Sequence, residues 1–251
     1  MNRIFLKVVL LTLVFLGWGI ARAEESPIPN IERYFPDEIG MTWSYRGSVV
    51  DQVQRIASYV NNATVKGTAE KQGIRVKVFT ESNQANEGPA ESYFLRDKEG
   101  ISYYGGDPTT PFETGLVPYR VISFPMVPEK PFSQLDKKVP FGKDLDEDGT
   151  DEEAQVEAKI VMKGFETISV PAGVFKDCLR LEGSMKIYIT LSGKQKVLLM
   201  TDKTVNWFAP DVGMVKGIER TEFPGMNGEN PTGTIITEEL SDYSKSQSSI
   251  H

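Results

Sequence analysis

From 154 to 162 the chain alternates Ala154, Val156, Ala158, Ile160 and Met162 with Gln155, Glu157 and Lys159. Period two puts every second side chain on one face, which is the pattern of a half-buried strand. The same alternation recurs at Met41, Trp43 and Tyr45, and again at Ile74, Val76 and Val78 against Arg75 and Lys77. Further strand-like runs lie at 56–70, 91–97, 100–106, 166–170, 175–191, 195–208, 214–222 and 233–240, with Gly, Asn, Asp and Pro in nearly every gap. No window holds an amphipathic helix longer than a turn or two. The pattern predicts an all-β chain, an antiparallel and strongly curved sheet or open β-barrel, in a single domain over 34–242.

Two stretches echo each other. In 92–104 and in 206–216, adjacent aromatics lead to an Asp and then to a Gly that starts a new strand, through Asp97 and Gly100 in one and Asp211 and Gly213 in the other. Gly accepts the positive φ that a tight hairpin requires. Two explanations stand side by side: a fold built from two similar halves, or the general frequency of Asp and Gly in hairpins. Segment 105–142 breaks the alternation with seven prolines and four phenylalanines. Pro lacks the donor a central strand needs, so this segment is expected to be an irregular excursion covering one end or edge of the sheet. Its aromatics are expected to plug the barrel end or to line an apolar pocket.

The first 23 residues change the picture of where the chain works. Arg3 and Lys7 precede an apolar run over 8–20 and the triplet Ala21-Arg22-Ala23, the layout of a signal peptide cleaved after Ala23. The run is short of the ~20 residues a membrane span needs, and no cysteine follows it to take a lipid anchor. A periplasmic or secreted bacterial protein with no transmembrane segment in its mature form is expected. Residues 24–33 read as a lead-in and 243–251 as a disordered polar tail.

Losing Arg3, Lys7 and Arg22 takes the formal net charge from −7 to −10, which offers no electrostatic footprint for nucleic acid. Cys178 is the lone cysteine, so no internal disulfide forms, and among strand hydrophobics it reads as a buried core residue. His251 is the lone histidine and the last residue. Ser-His-Asp and Cys-His machinery and His-ligated zinc therefore have no imidazole except one on the tail. Glu81, Glu91, Asp97 and Glu99 are the acids available to a glycosidase-like pair, and no spacing singles out two of them.

Much of the acidity is local: seven of the ten residues in 144–153 are Asp or Glu. Asp144, Asp146, Asp148 and Gly149 match positions 1, 3, 5 and 6 of a calcium loop, with the Thr150 carbonyl at 7 and Glu152 at 9. Alternate carboxylates converge on one ion while the Gly permits the bend. An EF-hand is excluded, because Gln155 stands where a bidentate Glu belongs and strand alternation follows it. Two readings remain for 143–153: an inter-strand loop holding a structural calcium, or a solvated acidic turn.

Three phrases, 34–47 with its Trp43-x-Tyr45, 168–183 with Val-Pro-Ala-Gly-x-Phe-x-x-Cys at 170–178, and 205–220 with Trp-Phe-Ala-Pro-x-Val-Gly-x-Val-Lys at 207–216, resemble a group of bacterial exported β-proteins of unknown function, many of them lipoproteins. The resemblance implies a curved, barrel-like β-domain of the cell envelope and brings no catalytic residue. The expectation is a non-catalytic exported domain that binds a ligand or an envelope partner, with calcium as its one candidate cofactor. The alternative is a carrier of an apolar, lipid-like ligand in the concave face, lined by Trp43, Tyr45 and Trp207. A carboxylate hydrolase ranks third.

Overall fold

The computed structural model describes residues 26–51, 56–83, 88–107, 109–194, 196–225 and 230–245. The signal peptide expected over 1–23 and His251 lie outside the described residues. Twelve strands form one sheet: β1 (Thr42–Asp51), β2 (Ile56–Lys71), β3 (Ile74–Asn83), β4 (Gly88–Asp97), β5 (Gly100–Asp107), β6 (Tyr119–Ser123), β7 (Phe132–Pro140), β8 (Glu153–Val170), β9 (Gly173–Thr190), β10 (Val197–Ala209), β11 (Gly213–Phe223) and β12 (Thr232–Ser244).

The strand order is β6-β5-β4-β3-β2-β1-β12-β11-β10-β9-β8-β7, antiparallel throughout. The chain thus draws two six-strand meanders and joins them where β1 pairs with β12, from Thr42 opposite Ser244 to Asp51 opposite Thr234. The two meanders have the same internal order, and the echoing hairpins occupy the same place in each, β4–β5 and β10–β11. Each hairpin aspartate takes an arginine from a distant element. Arg120 on β6 reaches Asp97, with Nη1 donating to Oδ1 at 2.7 Å, and Arg33 pairs with Asp211 through Nε at 3.0 Å and through Nη2.

The sheet closes almost into a barrel, since one cavity is lined from all twelve strands. At the seam between edge strands β6 and β7, the Gln134 side chain donates to the Val121 carbonyl at 2.8 Å. The β8 alternation read from the sequence is kept: Ala154, Val156 and Ala158 are buried against Ile187, Ile189 and Leu198 of the neighbouring strands. β8 is longer than the sequence pattern implied. Bulges at Met162/Gly164 and Glu166/Ile168, with Gly164 at φ 130°, absorb the break in period and carry the strand on to Val170.

The Pro- and Phe-rich segment is an excursion but not an irregular one, which corrects the expectation for 105–142. It holds a short helix α1 (Pro111–Leu116) and the strands β6 and β7. Thr110 caps α1 by accepting from the Glu113 amide at 3.1 Å, and Leu116 and Phe112 pack onto Leu135, Val139 and Ile187. At the other end of the barrel the lead-in packs onto the domain. Ile28 donates its amide to Met126 O at 3.0 Å, and a 3-10 turn (Ile31–Tyr34) buries Ile31 and Tyr34 against Met162, Leu179 and Leu181. The last strand runs two residues past the expected boundary at 242, because Thr42 still pairs with Ser244 there.

Leu240 on β12 is fully buried opposite Tyr45 of β1. Leu240→Ala should cost about 2–5 kcal/mol in urea unfolding, the range for emptying a filled core site. A cost under about 1 kcal/mol, ordinary for a surface change, would show that packing at the β1–β12 join contributes little.

Candidate functional site

The curved sheet surrounds a solvent-open cavity of about 460 Å³, within the roughly 300–1,000 Å³ range of small-molecule sites. Its wall is largely aromatic and aliphatic. Trp43 stacks near Phe79 with ring centroids 6.4 Å apart, Phe79 meets Phe94 edge-on at 5.4 Å, and Phe94 leads on to Tyr103 at 5.2 Å. Trp43 of β1, Phe79 of β3 and Phe94 of β4 are the lining members of this band, and β5 contributes Ile101 to the cavity. Ile160, Leu181 and Phe208 line the opposite wall. Phe35, from the lead-in segment, closes one end against Phe208 at 5.0 Å and Phe124 at 6.3 Å.

Two of the three aromatics expected in such a cavity line it, Trp43 and Tyr45. Their polar atoms are engaged in the wall: Trp43 Nε1 donates to Val212 O at 2.6 Å and Tyr45 Oη to Met214 O at 3.0 Å. Only their ring surfaces are therefore offered inward. Trp207 is not among the lining residues. Thr204, Asn206 and Phe208 hold the inward phase of β10, so Trp207 faces outward, where its indole donates to Glu166 at 2.8 Å and packs by Arg180.

The cavity is also charged at one side. Glu81 and Glu238 line it with Asn61, Thr204 and Asn206, and Glu219 and Asp202 continue the acidic group behind them. Glu238 accepts from Tyr59 Oη at 3.0 Å and from Asn61 Nδ2 at 3.1 Å. Enclosure by the barrel wall raises the Glu81 pKa, the Glu238 charge adds to this, and a hydrogen bond from Asn61 opposes it. Glu219 is raised by burial and then by Asp202 and Glu238, and Asp202 is raised by burial. Among the described residues none of these four acids has an ion-pair partner. The cationic side chain that lines the cavity, Arg96, lies 3.7 Å from Asp37 at the end closed by the lead-in. Glycine makes room for this polar side: a Cβ on Gly47 would sit 2.1 Å from the Tyr59 ring, and one on Gly183 would sit 2.3 Å from Thr204 Oγ1.

The acids weighed for a hydrolytic pair are not gathered. Glu81 is in the cavity, whereas Glu91 is held by Lys66 at 2.6 Å and Asp97 by Arg120, with Glu99 3.6 Å from the same arginine. Cys178 is fully buried, and burial pushes its thiol up to about 11. Sequence reasoning missed Asn61, Glu219, Glu238 and Asp202. The available signal was an acid in the apolar phase of a strand, as Glu81 shares its face with Phe79, and Glu238 with Ile236 and Leu240.

The acidic loop joins β7 to β8. It brings oxygens of Asp144, Asp146 and Glu152 within 4.8 Å of one another, while Asp148 and Thr150 stand beside this group. Asp144 accepts from the amides of Asp148 at 3.2 Å and Gly149 at 2.8 Å, and Asp148 accepts from the Thr150 amide at 2.9 Å and Ser192 Oγ at 2.8 Å. Glu152 is 1% exposed, and its two oxygens accept from the amides of Leu145 at 3.3 Å and Ser192 at 2.8 Å. Asp146 Oδ2 accepts from Gly193 N at 3.1 Å, but Oδ1 is buried without a donor. The loop is thus tied to the β9–β10 turn as much as to itself.

The lumenal acids make a pH prediction. A carboxyl whose folded pKa is raised keeps its proton when the unfolded chain has lost its own, so folding stability falls as pH rises above the ordinary value of about 4.3 for Glu. Glu219→Gln should therefore raise Tm relative to wild type at pH 7, and the gap should close as pH is lowered toward about 4. An unchanged Tm difference across that span would mean that Glu219 is fully solvated in the folded protein.

The DUF3108-like family matches residues 146–220, from the acidic loop into β11. No curated protein matches the chain. Among solved structures, a candidate lipoprotein of Parabacteroides distasonis is 16% identical with a TM-score of 0.40, covering 84% of this chain and 98% of its own. A candidate exported protein of Bacteroides fragilis with a YmcC-like fold is 14% identical with a TM-score of 0.45, over 84% of this chain and 98% of its own. The β8–β11 part of the chain is thus similar to a domain family whose function is unknown.

Proposed function

We propose that the chain is an exported, non-catalytic binding protein that carries a small apolar ligand inside its barrel. The observation behind this reading is the aromatic cavity itself. Trp43, Phe79, Phe94, Ile160, Leu181 and Phe208 present apolar surface to a cavity of about 460 Å³. Side chains just fill a barrel of about eight strands, and a sheet of twelve is wide enough to leave a hollow that can hold a small ligand. Leaving it open forgoes packing, which is worth doing where a ligand supplies the missing contacts. The expected export signal puts this carrier in the periplasm or outside the cell, where apolar molecules cross water only when covered.

A second observation favours a structural calcium in the β7–β8 loop. The carboxylates of Asp144, Asp146 and Glu152 converge, and Asp146 Oδ1 is buried without a donor. Hard cations take oxygen ligands from such a set. In this reading the ion fixes the loop against Ser192 and Gly193 and has no part in chemistry.

Uptake of Nile red, an uncharged apolar dye, tests the carrier. Fluorescence should rise on adding protein purified without detergent. Ala63→Phe, which places a ring in the cavity beside Trp43, should weaken uptake by about tenfold or more, the price of roughly 1.4 kcal/mol of lost contact. No uptake by the wild type, with the β-rich circular dichroism spectrum intact, overturns the reading.

Calorimetric titration tests the loop. Calcium should bind at about 10⁻⁴–10⁻³ M, the range of extracellular modules, and Asp146→Asn should abolish the heat. No binding to the wild type at several times that concentration leaves the segment a charged turn.

A further inference from the structure

The cavity combines two features that an apolar ligand alone does not use. Its inner wall is aromatic, yet one side carries Glu81 and Glu238, with Glu219 and Asp202 behind them, near enough that the Asp202 and Glu238 charges add to the burial that raises Glu219. Unlike the acids of the β7–β8 loop, which accept backbone amides, these have few protein donors. Glu238 has Tyr59 and Asn61, and Asp202 Oδ1 is buried with no donor at all. Concentrated negative charge facing a low-dielectric chamber is unfavourable unless a cation enters it.

Asn61 supplies an independent sign. It is 4% exposed, lines the cavity, and its Oδ1 has no hydrogen-bond partner. Its amide orientation is fixed, because the nitrogen must face Glu238, which only accepts when ionised. Oδ1 is then an acceptor awaiting a donor. A donor that also satisfies Glu81 and Glu238 is a protonated amine.

The cation is organic rather than a metal ion. Among the described residues, the acids whose oxygens close within metal-ligand range as a group of three are Asp144, Asp146 and Glu152 in the loop, and none in the lumen. Separated carboxylates beside aromatic faces suit an ammonium group on an apolar body, which gains from the ring quadrupoles as well as the charges. A carboxylate-headed ligand would meet one lining cation, Arg96, which stands 3.7 Å from Asp37 and whose Nε is buried without a hydrogen-bond partner, and Glu81 and Glu238 outnumber it.

We propose that the lumen selects an amphiphile with a primary ammonium head, placing the head among Glu81, Glu238 and Asn61 and the apolar body against Trp43, Phe79 and Phe94. This rests on the carrier reading and adds the chemistry of the head. Three probes with one chain and different heads test it: dodecylamine, dodecanol and dodecanoate, each below its micelle concentration, titrated at neutral pH against displacement of Nile red. Dodecylamine should bind about tenfold or more tighter than dodecanol, and dodecanoate weaker than both. Glu238→Gln and Glu81→Gln should each cut amine affinity by roughly tenfold and weaken dodecanol binding much less, with an intact β-rich circular dichroism spectrum reporting that the variants are folded. Equal affinity for all three heads, or preference for dodecanoate, overturns the ammonium inference and leaves the carrier intact. Failure of all three, together with no dye uptake, overturns the carrier itself.

Discussion

The structure depends on the pairing of β1 with β12. These strands come from opposite ends of the described chain, and their ladder converts two six-strand meanders into one twelve-strand sheet that bends round a lumen. Without it each meander would present a broad apolar face to water, since neither has a helix layer to cover it. The join is well filled: Met41, just before β1, and Trp43 and Tyr45 of β1 meet Leu240 from β12, with Val65 and Val215 beside them. It also forces the consequence at the far side. Once β1 and β12 meet, β6 and β7 become the free edges, and their protection shapes the least regular part of the sequence.

That accounts for four of the seven prolines of 105–142. β6 is five residues long and lies between Pro118 and Pro125, while β7 starts just after Pro131 and ends at Pro140. Short strands, flanking prolines and the exposed Lys137 and Lys138 are the means by which edges avoid pairing with other chains. The sequence reads these prolines as unsuited to a central strand and the segment as an irregular excursion at an end or edge of the sheet; the same rule also admits edge strands, which is what forms there. Which strands are edges is a property of the closed sheet, and periodicity in one segment does not contain it.

What could be read in advance was whatever each strand decides locally. The period-two runs at 41–45 and 154–162, and the hairpin glycines Gly100 and Gly213, with φ of 138° and 92°, are local requirements that the residues themselves state. The metal-type loop was legible in the same way, because its Asp spacing is a short-range pattern, and the structure does draw Asp144, Asp146 and Glu152 together. The lumen was less so. Trp43 and Tyr45 follow from their strand's inward phase, but Trp207 falls in the outward phase of β10, whose inward positions are Thr204, Asn206 and Phe208. Asn61 and Glu238 lie 177 residues apart and meet because β1 stands between their strands.

The two acidic regions also differ in physical kind, and this decides how each bears on function. In the loop, carboxylates are bound by amides from Leu145, Asp148, Gly149, Thr150, Ser192 and Gly193, so most of their charge is met by the fold's own dipoles. Such acids define a shape, and a cation added there tightens what is already arranged. In the lumen the acids stand on strands whose amides are committed to ladders, so the backbone has little to offer them. Burial and mutual repulsion raise Glu81 and Glu219 for that reason. A fold that only needed stability would gain by placing apolar side chains at these inward positions. Keeping acids there, at a cost in stability, is the pattern expected where charge is held for something that enters from outside.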